Sequence, residues 1–253
     1  MLRFLMILVV SLTLSGLTNC VDPVYSQEEQ PLRILLVVGG HSYDKENLHK
    51  MLSDMPGSVL KEITLPEDQD YLKQGLNKDF DVVVFHDQSR FDLTEEQKTN
   101  MEQMWAEGMP TVMLHHALIS HNDFPVIRDV FGTAFLLQEQ EIDGRVRPAS
   151  TYLVPTEVTL LMVDRKHPIT EGVQDFTLTD EVFDKLYFNP KIDVLVTTDH
   201  PESSRPVVWT WHYKKTPVFG MIQGHDGRAF NNENYRKLFY NGLRWLVEES
   251  AER

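Results

Sequence analysis

Residues 31–44 read Pro-Leu-Arg-Ile-Leu-Leu-Val-Val-Gly-Gly-His-Ser-Tyr-Asp. From Ile34 to Val38 every position is apolar, where a half-exposed strand would alternate. A run apolar on both faces suits a central strand of a parallel sheet, covered on either side by helices. Gly39-Gly40 ends the run, and a helical stretch follows from Asp44 to Asp54, with Leu48, Met51 and Leu52 at three- and four-residue spacing.

Further along, Val59 to Leu65 reads as a second strand, and Asp79-Phe80-Asp81 leads into a third, Val82 to Phe85. Thr94 is an N-cap with Gln97 three residues on, opening a helix that runs to about Ala106 and stops near Gly108. Thr111 to Leu114 is a fourth buried strand. The order is β-α-β-α-β-α-β with short joints, which predicts an α/β fold with a doubly wound, mostly parallel sheet flanked by helices. Phe131 to Ser150, rich in Gln, Glu and Gly, reads as a long loop or hairpin. Thr159 to Val163, Val194 to Thr198, Val207 to His212 and Val218 to Ile222 are further strands, and Asn232 to Glu248 is a closing helix. No internal repeat or composition break divides the chain, so one domain is expected over residues 31–250.

At 253 residues, 42% hydrophobic and 25% charged, the composition is that of a globular protein rather than a disordered chain or a multi-span membrane protein. Thirty-eight acidic residues against 24 basic ones give a net charge of −14, which repels phosphate backbones and argues against a nucleic acid partner. A neutral sugar meets no such penalty. The single cysteine, Cys20, excludes an internal disulfide, a cysteine-rich metal cage and a cysteine nucleophile in the body of the fold.

Met1 to Cys20 has Arg3 ahead of an apolar run from Phe4 to about Leu14 and then small and polar residues, the three-part build of a signal peptide. Leu17-Thr18-Asn19-Cys20 resembles the bacterial lipoprotein box, with Asn19 departing from the usual small residue. Residues 21–30 read as a polar linker. The protein is therefore expected to be exported, either as a periplasmic or outer-membrane lipoprotein held to the membrane by lipid on Cys20, or as a secreted protein.

In open α/β sheets, ligands bind beyond the carboxyl ends of the strands. Six of the ten histidines, His41, His86, His115, His116, His200 and His225, fall at the ends of expected strands. Imidazole exchanges protons near neutral pH and binds transition metals, and the glycines beside these residues allow close backbone approach to a ligand. His86 and His200 read as hydrogen-bonded loop residues. His41, His116 and His225 come from three separate segments and read as converging on one crevice. Those three would suit a divalent metal such as zinc, although ligand type alone leaves a metal-free cluster open, and His115 and His116, adjacent on a strand end, point to opposite faces. Asp44 and Asp226 are candidates to orient an imidazole, with helix and turn capping as the alternative. Trp209, Trp211 and Tyr213 share one strand face and suit the core, or a sugar ring.

Gly39-Gly40-His41-Ser42-Tyr43-Asp44, Leu114-His115-His116-Ala117-Leu118, His167-Pro168-Ile169-Thr170, Thr198-Asp199-His200-Pro201, Gly224-His225-Asp226 and Gly242-Leu243-Arg244-Trp245 together resemble the trehalose-utilisation (ThuA-like) family, over about Leu32 to Val247. The resemblance implies a flavodoxin-like, class I glutamine amidotransferase-like fold. In amidotransferases a cysteine sits on a tight turn after a central strand. Here that turn holds His115-His116, so glutamine hydrolysis through a thioester is not available. The resemblance further implies sugar catabolism alongside oxidoreductases that make 3-keto sugars. On this reading the substrate is a disaccharide or 3-keto-glycoside. His116 and His225 would transfer protons, with Asp226 beside them, and His41 would meet the carbonyl or a metal. Gly40, Tyr43, Asp44, His115 and Gly224 would shape the binding site. The competing expectation is a non-catalytic carbohydrate-binding or scaffolding lipoprotein.

Overall fold

The structure, a computed structural model, describes residues 30–251. Cys20, the signal peptide and nearly all of the expected linker lie outside the described residues. Ile34 to Val37 are fully buried in β1 (Leu32–Gly39). Helix α1 (Lys45–Ser53) follows and buries Leu48, Met51 and Leu52. The chain continues through β2 (Ser58–Leu65), β3 (Val82–Phe85), α2 (Glu95–Ala106) and β4 (Thr111–Leu114). Thr94 and Gln97 form the expected reciprocal capping box at the start of α2.

One helix of the expected alternation is missing. Between β2 and β3 the chain makes only two short 3₁₀ turns, Gln69–Tyr71 and Leu76–Lys78. Pro66 and the left-handed Gly75, with φ of +85°, bracket a stretch too interrupted to propagate an α-helix.

After β4 come α3 (Pro125–Phe131), the short β5 (Thr133–Ala134) and a hairpin of β6 (Gln140–Ile142) and β7 (Arg145–Arg147), within the segment read as loop or hairpin. The strand expected at Thr159 to Val163 is the end of a longer β8 (Thr151–Met162). It is followed by β9 (Phe176–Asp184), which the sequence pattern did not disclose. Then come β10 (Tyr187–Phe188), β11 (Asp193–Thr197), β12 (Pro206–Tyr213), β13 (Thr216–Met221), the single-turn α4 (Gly227–Phe230) and α5 (Glu233–Ala251). Among the described residues no helix is long and apolar enough to cross a membrane.

The main sheet has the order β2-β1-β3-β4-β13-β12-β11-β8-β9. The first five strands are parallel, and the remaining pairings are antiparallel. Register shows how both faces are covered. Phe85, Met113 and Gly220 lie in line on one face, where Phe85 meets Trp105 of α2 and Phe131 of α3. Phe219 therefore points the other way, onto Phe239 of α5. Tyr240 of α5 reaches the Met51 carbonyl of α1, so α1 and α5 cover that second face together. Trp209 and Trp211 serve the core: their indole N–H groups donate to the carbonyls of Phe131 and Val130.

Candidate active site

From β1 the chain steps outward to β2, then crosses back to β3 and β4 on the other side of β1. This reversal opens a crevice beyond the carboxyl ends of the strands. Because β1, β3, β4 and β13 are parallel, the loops carrying His41, His86, His115-His116 and His225 all leave at that one edge. β9 is four antiparallel steps from β13 and so runs in the same direction. Its hairpin with β8 reaches back to the edge, where the Asp180 carboxylate accepts from the backbone N–H of Gly224 at 2.9 Å and of His225 at 3.2 Å.

The crevice is a cavity of about 400 Å³, the scale of a small-ligand site, and it opens to solvent. His41, His116, His225, Glu181, Gln88 and Arg90 supply its polar lining, while Phe135, Phe183, Tyr152 and Leu137 make an apolar wall. A larger hollow of about 560 Å³ beside Tyr71 and Phe80 contains no histidine.

His115 follows β4 directly and holds φ of +46°, a left-handed conformation uncommon outside glycine. It is fully buried, and its Nδ1 lies 2.8 Å from the Ile222 carbonyl. A carbonyl only accepts, so Nδ1 carries the proton and Nε2 is turned inward. Nε2 lies 3.2 Å from Glu181 Oε2 and 3.3 Å from His225 Nδ1. His225 Nδ1 lies 3.4 Å from the same Glu181 oxygen. The His116 ring is 4.4 Å from that of His115 and 5.6 Å from that of His225, centroid to centroid. One ligand atom from each of His115, His116, Glu181 and His225 falls within 4.8 Å of the others.

Electrostatics separate these histidines. Burial disfavours a charged His115, yet the Glu181 hydrogen bond and the Asp180 charge outweigh it and raise its pKa. His116 is pushed far below the ordinary imidazole range, first by burial and then by the surrounding imidazoles. Burial drives His86 down to about 3. It is a neutral structural residue whose Nε2–H donates to the Gly224 carbonyl. Burial raises the pKa of Asp180 against the backbone donors that it accepts.

His41 stands apart from the four. Its ring is 4.8 Å from that of His116, on the exposed side. Its Nδ1 lies 2.5 Å from the Ser42 carbonyl and must donate to it, which leaves an Nε2 lone pair for a ligand. The backbone before it is tightly held: Gly40 has φ of +72°, and a Cβ there would sit 2.2 Å from the Gln88 carbonyl oxygen.

Several residues expected in the site do other work. Asp226 caps α4 and pairs with Arg228, because its carboxylate points along the helix start rather than toward an imidazole. Asp44 caps α1 and accepts from Gly227 N–H, tying α1 to α4. Tyr43 donates to Glu62 and sets its ring edge against His86, away from the cavity lining. Gly224 positions neighbours through its amide and carbonyl. His115 lies behind the cavity wall, not in it. His200 is held in a turn by Thr156 and the Glu202 amide. Asp180 and Glu181 were missed. Their one available signal was the apolar frame of Phe176, Leu178, Val182 and Phe183 around two adjacent acids.

Fold and site together define an α/β protein of the flavodoxin-like, class I glutamine amidotransferase-like kind, with a histidine on the tight turn after its central strand. The sequence profile of the trehalose-utilisation (ThuA) family matches residues 33–246, and the chain belongs to that family. No curated protein matches it in sequence. Among solved structures, it is similar to a ThuA-like protein from Parabacteroides merdae, with TM-score 0.71 and 18% identity over 86% of this chain and 90% of that one. A ThuA-like protein from Bacteroides uniformis gives TM-score 0.63 and 18% identity, covering 86% of this chain and 92% of that one. PurLQS from Thermotoga maritima gives 0.56 and 13%, covering 86% of this chain and all (100%) of that one. At such identities the likeness is one of fold.

Proposed function

We propose that the crevice is the active site of an exported enzyme of carbohydrate catabolism that acts on a 3-keto-glycoside. The observation that carries this is the convergence of His41, His116, His225 and Glu181 on one solvent-open cavity of ligand size. A ketone at C3 acidifies the neighbouring C2–H. His41 Nε2, without a hydrogen-bond partner among the described residues, takes that proton. The C2–H pair forms a C1–C2 double bond as the C1–O bond breaks, and the departing oxygen receives a proton from the His41 imidazolium. The cavity-lining imidazoles of the inner cluster, His116 and His225, would meet the ketone oxygen and stabilise the charge that develops there. His116 is replaced as the proton acceptor because an imidazole held so far below its usual pKa is a weak base. His225 is assigned to the inner cluster, toward which its Nδ1 is turned at Glu181 and His115.

Incubating purified protein with 3-keto-trehalose or 3-keto-glucosides should release the C1 substituent, and His41→Ala should slow release by at least about 100-fold. No release beyond buffer, or full release by the variant, contradicts the assignment. The wall of Phe135, Phe183 and Tyr152 favours a second reading, a non-catalytic carbohydrate-binding lipoprotein. Calorimetric binding of unmodified saccharides recovered unchanged, together with inertness toward keto-sugars, would select it. Mass spectrometry of the membrane fraction tests lipid on Cys20.

A further inference from the structure

We propose that His115, His116, His225 and Glu181 bind one divalent transition-metal ion of the zinc class. The proposal deepens the catalytic reading by naming the electrophile at the ketone oxygen, but metal binding is measurable without it. Metal bonds of about 2.0–2.1 Å in a tetrahedron place neighbouring ligand atoms about 3.3–3.4 Å apart. The three separations among His115 Nε2, Glu181 Oε2 and His225 Nδ1 are 3.2, 3.3 and 3.4 Å, the edges of one tetrahedral face.

The chemistry of the donors agrees. With Nδ1–H committed to the Ile222 carbonyl, His115 has Nε2 left to offer, turned toward a Glu181 oxygen and the His225 Nδ1. A carboxylate and two imidazole nitrogens gathered this closely beside a fully buried ring are balanced by a positive charge among them, a metal ion or a shared proton. Among the described residues the ion-pair partners of Glu181 are these two imidazoles, and its side chain is only 10% exposed. The support expected around a metal is also built. The Ile222 carbonyl orients His115, and Asp180 holds the backbone amides of Gly224 and His225. His116 offers a fourth donor from the cavity side, its ligand atom within 4.8 Å of the other three, and substrate oxygen would reach the ion there as a further ligand. The set differs from the trio expected from sequence: His41 is outside it, and His115 and Glu181 are inside.

Chelator-stripped protein titrated with Zn²⁺ in a calorimeter should bind one equivalent. Glu181→Gln and His115→Ala should each weaken binding by at least about 100-fold, and Asp180→Asn by about 10–100-fold. His41→Ala should retain the stoichiometry. Cobalt-loaded wild type should show the intense visible absorption of a four-coordinate N/O site, a readout that does not depend on the variants folding. No saturable zinc binding, a cobalt spectrum of the hexa-aquo type, or ligand variants that bind as wild type does would overturn the proposal, leaving a proton shared between His115 and Glu181. Stoichiometric zinc without keto-sugar turnover sinks the catalytic reading alone. Undiminished turnover by metal-free protein removes the ion from the reaction and leaves the catalytic reading standing.

Discussion

His115 holds a positive φ and a fully buried ring at the end of a central strand, a conformation that persists only where its surroundings over-determine it. What determines it here is the Ile222 carbonyl on one ring nitrogen and Glu181 with His225 on the other. The turn was legible, because a buried strand running into His115-His116 must deliver both residues to the sheet edge. Which ring lies inward was not, since it depends on a carbonyl 107 positions away in the chain. Glu181 was less legible still: two adjacent acids in a strand break the apolar pattern by which strands are read. The same scale governs Gly40. Gly40→Ala would force a left-handed alanine against the Gln88 carbonyl. We expect a cost of about 1–3 kcal/mol, seen as a fall of several degrees in Tm. An unchanged Tm would show that this turn relaxes freely.

Elements with strong local signals stand where the sequence put them. The apolar runs of β1, β3 and β4 need no neighbour to be recognised, and the Thr94–Gln97 box marks the start of α2 within a residue. β9 and α3 had no such mark. β9 takes its identity from pairing with β8, and α3 is a seven-residue helix too short to display a stripe. Packing between elements is equally specific at β12 and β13. The Trp209 indole lies across Gly220, and a Cβ there would come within 2.1 Å of the ring. Gly220→Ala must displace a fully buried tryptophan bonded to α3. Urea unfolding should show a loss of about 1–3 kcal/mol with an unchanged m-value. Equal midpoints for variant and wild type would mean that the indole has room to move.

Across the whole molecule, the acidic surface is bound to the fold at a few half-buried ion pairs. Burial works to raise the Asp81 carboxyl, but donation from the Arg33 amide and guanidinium overcomes it and holds its pKa below the usual value. Glu62, set among Lys45, Tyr43 and His49, is lowered against burial in the same way. A carboxylate with a depressed folded pKa stabilises above its unfolded pKa and loses that contribution as pH falls through the folded value. Unfolding free energy should therefore decline from about pH 5 downward, and less steeply in Asp81→Asn and Glu62→Gln. Parallel pH profiles for variants and wild type would contradict this.

The sheet order brings segments separated by most of the chain to one edge, and the functional account stands on what meets there. Its most direct test is proton exchange at C2 of a 3-keto-glucoside in D₂O, followed by NMR. Wild type should replace the C2 proton with deuterium, or eliminate, far faster than buffer, and His41→Ala should be at least about 100-fold slower. A C2 proton untouched by wild type, or exchanged equally fast by the variant, would contradict the account.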